Sequence, residues 1–136
     1  MEKEELMLRA MEARHMAYAP YTGFAVGAAL LCRDGQVYTG CNIENAALTA
    51  TNCAERTALF KAVSEGEREF EAIAIVGGKA QESPREYCAP CGVCRQALAE
   101  FCGADFRIYL GAEGKPTRTY RLSELLPEAF TPQNLS

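Results

Sequence analysis

The sequence predicts an α/β fold, a three-layer α-β-α arrangement around one mixed sheet of about five strands. Three observations carry this expectation. The chain has 136 residues, which suits one compact domain, 1–136, with its own hydrophobic core. Its apolar positions switch between helical and strand-like spacing in the order α, β, β, α, β, α, β, β. No repeat, low-complexity tract or linker interrupts that order.

The first helix is read from Leu6, Met7, Ala10, Ala13 and Ala17, with carboxylates crowding its first turn. It must stop before Tyr18-Ala19-Pro20-Tyr21, because proline disfavours helical geometry at the residue before it. Phe24 to Cys32 and Gln36 to Cys41 form a hairpin around Arg33-Asp34-Gly35, whose Asp-Gly pair is a strong turn signal. A second helix runs from about Cys53 to Ser64 and stops at Gly66. Ala72 to Val76 reads as a buried strand ended by Gly77-Gly78, and the polar stretch Lys79 to Tyr87 as a surface loop. A third helix spans about Cys91 to Phe101, with Gly103 beyond its end. Phe106 to Leu110 and Thr117 to Leu122 are the last strands, and Ser123 to Pro127 a short capped helical turn.

Charge narrows the partners. The formal net charge is −4, and no cluster of Lys and Arg exists to neutralise a phosphate backbone. A small-molecule substrate is expected, with no nucleic acid. The opening Met1-Glu2-Lys3-Glu4-Glu5 shows no secretory or transit pattern, and the longest apolar run is too short to cross a bilayer. A cytoplasmic protein with no membrane contact is the expectation.

Seven cysteines is a high count for this length. The odd number and the missing export signal argue against a disulfide framework and towards metal or redox chemistry. Cys32, Cys41 and Cys102 sit in apolar patterns and read as small buried hydrophobes. The chemistry concentrates in Cys53-Ala54-Glu55-Arg56 and Pro90-Cys91-Gly92-Val93-Cys94. Two thiolates at Cys-x-x-Cys spacing can converge on one ion, and Pro90 marks a helix start, where free N–H groups favour thiolate. Cys53 has the same placement on the other helix. Three thiolates leave one tetrahedral position of Zn²⁺ open for water, which distinguishes a catalytic zinc from a structural one. Glu55 is too near Cys53 to share the metal, yet close enough to move protons. Arg56 can donate hydrogen bonds to a thiolate and offset the excess negative charge. Simpler readings stand beside these: structural zinc or a dithiol redox pair for the cysteines, an N3 partner of an Asn52 cap for Glu55, and an exposed helix residue for Arg56.

Taken together, these two segments resemble the cytidine deaminases, specifically their small homotetrameric class. The likeness runs from Met16-Ala17-Tyr18-Ala19-Pro20-Tyr21 to Leu125-Leu126-Pro127-Glu128-Ala129-Phe130. It implies one zinc per subunit on Cys53, Cys91 and Cys94, Glu55 as general acid and base, and hydrolysis of cytidine or deoxycytidine to the uracil nucleoside and ammonia. In Gly40-Cys41-Asn42-Ile43-Glu44-Asn45, Asn42 and Glu44 are two apart, able to grip a pair of hydroxyls, and the resemblance assigns them to the sugar 3′-hydroxyl. It also places Phe24 and Ala54 against the nucleoside and Phe130 in the site of a neighbouring subunit. Three features depart from the family pattern: Leu48 in place of tyrosine, Ala89 in place of serine, and the additional thiol Cys88. His15, the only histidine, lies on the first helix and is no ligand. The rivals are a structural zinc module that adds Cys88 to the set, a dithiol oxidoreductase, a polynucleotide deaminase, and a deaminase of another aminopyrimidine nucleoside.

Overall fold

The computed structural model describes residues 1–136. Its elements are α1 (Lys3–Arg14), β1 (Phe24–Cys32), β2 (Val37–Cys41), α2 (Ala54–Ser64), β3 (Phe70–Lys79), α3 (Gly92–Phe101), β4 (Arg107–Leu110), β5 (Arg118–Arg121) and α4 (Leu122–Leu125). Short 3-10 turns add Leu48–Ala50 and Pro132–Leu135. The strands form one sheet in the order β2-β1-β3-β4-β5. Three pairs are antiparallel, and β3 with β4 is parallel, the one pair joined through a helix. The mixed five-stranded sheet is the architecture the sequence predicts.

Strand alternation builds the three layers. Ala28, Leu30 and Cys32 of β1 join Ile73 and Ile75 of β3 in a core completed by Ala58, Leu59 and Ala62 of α2 and Leu98 of α3. The intervening Ala29 and Leu31 join Ala72, Ala74 and Val76 on the opposite face, under Leu6 and Ala10 of α1. Each fully buried Leu or Ile contributes about 1.5–3 kcal/mol relative to exposure. No helix is long and apolar enough to cross a membrane.

Two glycines let the helices approach this closely. A Cβ on Gly27 would lie 2.0 Å from the Ala10 carbonyl of α1. One on Gly40 of β2 would lie 2.5 Å from both the Ala54 carbonyl and the Ala58 nitrogen of α2. The start of α2, which carries the chemistry, therefore rests directly on β2.

The structure corrects several boundaries. β3 continues through Gly77 and Gly78 to Lys79, where the sequence suggests a stop. These glycines pair with Val26 and Ala25. They are small because Cys88 and Pro84 press on them: a Cβ on Gly77 would meet Cys88 Sγ at 2.9 Å. α1 ends at Arg14, short of Ala17. Arg14 is buried and fans out to four carbonyls, Nε to Ala25 (3.0 Å) and Nη2 to Gly78, Lys79 and Glu82 (3.0, 2.6 and 2.9 Å). The last helical turn begins at Leu122, and its cap bond comes from Glu124, which accepts from the Arg121 N–H at 2.8 Å; Ser123 plays no such part.

Gly40→Ala should destabilise the protein by about 1–3 kcal/mol through overpacking. Because the displaced helix begins at Ala54, bound zinc should fall in the same variant. Urea unfolding together with zinc content of the refolded protein checks both.

Candidate active site

Both chemical segments lie where chain turns into helix. Cys53 and Cys91 occupy the N-cap positions of α2 and α3 in extended conformation, and neither side chain makes a capping bond. Their sulfurs are thus free to face each other, 3.8 Å apart. Cys94, in the first turn of α3, is fully buried and completes the group: the three Sγ atoms all lie within 4.8 Å of one another. Cys88 is outside this group. It packs against Gly77, and burial pushes its thiol up to about 12.

The electrostatics are those of a donor set that needs a cation. A hydrogen bond from Cys94 and another from Arg56 Nη2 (3.4 Å) bring the Cys53 thiol down to about 5. The same bond to Cys53, with burial, drives Cys94 strongly upwards. A divalent ion would supply the charge that lets all three ionise, and three soft sulfurs suit zinc. Arg56, which donates to Cys53, would offset the net −1 of three thiolates and Zn²⁺. Its Nε is buried with no partner in the chain, so the guanidinium is held for the cluster by its Nη2 end.

Glu55, the second residue of α2, is only 4% exposed. Loss of water pushes its carboxyl up to about 7, and the neighbouring Cys53 charge adds to this. A carboxyl that exchanges its proton near neutrality, buried beside the three sulfurs, is suited to proton transfer in both directions. It is no partner of an Asn52 cap: Asn52 donates through Nδ2 to Thr57 Oγ1 at 3.0 Å, and Cys53 is the N-cap.

The Asn42–Glu44 strip reaches this cluster by a single backbone link. Ile43 exchanges two hydrogen bonds with Asn52, each 2.9 Å, directly before Cys53. On either side of Ile43, Asn42 and Glu44 turn back to the chain. Asn42 Oδ1 accepts from the Val26 N–H and Nδ2 donates to the Phe24 carbonyl, both at 2.8 Å. Glu44 Oε1 accepts from the N–H groups of Tyr21 (2.9 Å) and Thr22 (3.1 Å), and Oε2 from the Thr22 hydroxyl. Phe24 heads β1, half-exposed, and Ala54 is fully buried at the start of α2.

Phe130 is not gathered with these residues. It lies two residues beyond Glu128, which has φ 54°, and its carbonyl accepts from Gln96 on the outer side of α3 at 2.8 Å; the residue is 59% exposed. Leu48 is 80% exposed on the 3-10 turn. Sequence reasoning missed Thr22 and Arg14. The loop Pro20-Tyr21-Thr22-Gly23 signalled only a turn, and nothing in a helical pattern marks which arginine is buried.

Three thiols at two helix starts beside a buried carboxyl define a candidate zinc-dependent hydrolase centre. Comparison with known proteins agrees. Residues 1–110 match the family model of the cytidine and deoxycytidylate deaminase zinc-binding region. A cytidine deaminase of Halalkalibacterium halodurans is 50% identical over 136 residues, covering 100% of this chain and 99% of the relative. One of Sporosarcina psychrophila is 48% identical over the whole chain and 96% of its own. The crystal structure of cytidine deaminase from Burkholderia pseudomallei superposes with a TM-score of 0.87 at 45% identity, over 96% of this chain and 100% of that one. The chain belongs to the cytidine and deoxycytidylate deaminase family.

Replacing Cys53, Cys91 or Cys94 by Ala should weaken zinc binding more than about 100-fold, beyond the loss usual for an outer partner. Cys88→Ala should keep full zinc content, measured by metal analysis after dialysis against a chelator. Acid should also loosen the Glu44 contacts. The Thr22 hydroxyl, then the Tyr21 and Thr22 N–H groups, hold the Glu44 carboxyl below its usual 4.5. Its stabilisation is complete above that value and is lost as pH falls through the lowered folded one. Melting from pH 7 to pH 3 should therefore show a smaller acid-induced drop in Glu44→Gln than in the parent.

Proposed function

We propose that this chain hydrolyses cytidine and deoxycytidine to uridine and deoxyuridine with release of ammonia, as an enzyme of pyrimidine salvage. The observation that carries the reading is Glu55, buried two residues beyond Cys53 and beside the three-sulfur group. Identity of 50% to a named cytidine deaminase over the full chain supports the substrate class.

In this reading Cys53, Cys91 and Cys94 hold one zinc ion per subunit. Bound there, the ion supplies Lewis acidity that makes a water acidic near neutral pH. Glu55 takes a proton from the attacking water as its oxygen bonds to carbon 4 of the pyrimidine. The carboxyl gives that proton to ring nitrogen 3, takes the second from the oxygen now on carbon 4 and gives it to the amine; the carbon–nitrogen bond breaks, and ammonia leaves. Arg56 moderates the charge of the thiolates. Asn42 and Glu44 contact the sugar, and Phe24 and Ala54 line the base.

Residues 1–136 act as one domain, in a homotetramer whose sites are shared. The exposure of Phe130, whose carbonyl accepts from Gln96 of α3, supports a role in the site of a neighbouring subunit. A reducing, cytoplasmic location accords with seven cysteines, none in a disulfide. Net charge of −4 favours a free nucleoside over a polynucleotide.

Glu55→Gln, loaded with zinc, should lose about 10²–10⁴-fold in kcat. Ultraviolet-monitored turnover of cytidine, deoxycytidine, cytosine and cytidine monophosphate should show activity on the two nucleosides, in a species that elutes as a tetramer. Near-normal turnover by the zinc-loaded variant would remove Glu55 from the mechanism.

A further inference from the structure

We infer that Thr22 is the positioning residue of the sugar contact, fixing which lone pair of Glu44 remains for a substrate hydroxyl. The inference rests on the reading that Asn42 and Glu44 meet the sugar.

The argument is a count of hydrogen-bond valences. A carboxylate offers about four lone-pair sites. Oε1 of Glu44 uses both of its own on the N–H groups of Tyr21 and Thr22. Oε2 takes the Thr22 hydroxyl proton and keeps one site. Asn42 is similarly committed: one Nδ2–H goes to the Phe24 carbonyl and Oδ1 serves the Val26 N–H. One Asn42 amide proton, one Asn42 Oδ1 lone pair and one lone pair on Glu44 Oε2 are left over. The amide proton and the Oε2 lone pair suit one hydroxyl, which accepts from Asn42 and donates to Glu44.

Thr22 is the member that sets the direction. Its hydroxyl donates to Glu44 Oε2 and accepts from the Phe24 N–H at 3.0 Å, so its proton can point only at the carboxylate. The two N–H bonds on Oε1 alone would let the carboxylate swing about that oxygen, carrying the free lone pair of Oε2 with it. Through the same hydroxyl Thr22 also fixes Phe24 at the head of β1. One side chain thereby ties the sugar contact to the aromatic residue beside it. Thr22 itself is exposed and needs no direct contact with substrate. Serine keeps the hydroxyl, whereas valine keeps the shape and loses it.

The experiment compares kcat/KM for cytidine and 3′-deoxycytidine in the zinc-loaded wild type, Thr22→Val, Thr22→Ala and Thr22→Ser, with a melting curve for each. The wild type should favour cytidine strongly, because a site built for a hydroxyl is left with unpaired groups when that hydroxyl is missing. In Thr22→Val and Thr22→Ala this preference should shrink about tenfold, mainly through KM of cytidine, and Thr22→Ser should restore it. Two results overturn the inference: a wild-type preference that the Val and Ala variants keep, or an equal loss on both nucleosides with lowered melting, which marks a merely structural role. A wild type that treats the two nucleosides alike overturns the parent reading of Glu44 as well, so the two failures are distinguishable.

Discussion

Three sulfur atoms within 4.8 Å of one another cannot all carry charge unless something positive stands among them. That constraint organises this molecule. Two helices are aimed so that their N-termini, with their unpaired N–H groups, meet at the sulfurs. Arg56 is placed to donate to Cys53, and the group still falls short of the charge that three thiolates demand. A divalent cation held by the three sulfurs would complete the balance. Burial raises the Cys94 thiol and brings the Glu55 carboxyl up to about 7, so both groups answer to one local environment.

The sheet serves this centre by bringing its parts within reach. Gly40 lets the start of α2 lie on β2, and the Ile43–Asn52 pair stitches the Asn42–Glu44 strip to the chain directly before Cys53. Neither contact adds chemistry. Both fix distances among groups that must work together, on elements stiffened by the core beneath α2 and α3.

How much of this the sequence disclosed follows from what each signal depends on. The Cys91–Cys94 pair and the closeness of Glu55 to Cys53 were legible because spacing within a helix start fixes geometry over three residues. The alternating strands were legible for the same reason. That the two helix starts meet came only from the resemblance of both segments to one family. The glycines of β3 misled because Gly77 and Gly78 answer to Cys88 and Pro84, partners that only the fold supplies. Asn42 and Glu44 were found as a pair, but their existing commitments were not, since those run to β1 and to the Tyr21–Thr22 turn. Arg14 was invisible: burial among four carbonyls leaves no local mark on an arginine in a helix.

The chain runs through α2 and β3 before it returns to the sulfur group, so Cys91 comes 38 residues after Cys53. At about 5–20 residues per second, a ribosome exposes the first thiol for roughly 2–8 s before its facing partner is made. Throughout that interval Cys53 has an acidifying arginine close by in sequence and no metal group to join. The Cys53 thiol is thus open to oxidation until the fold brings its sulfur partners to it.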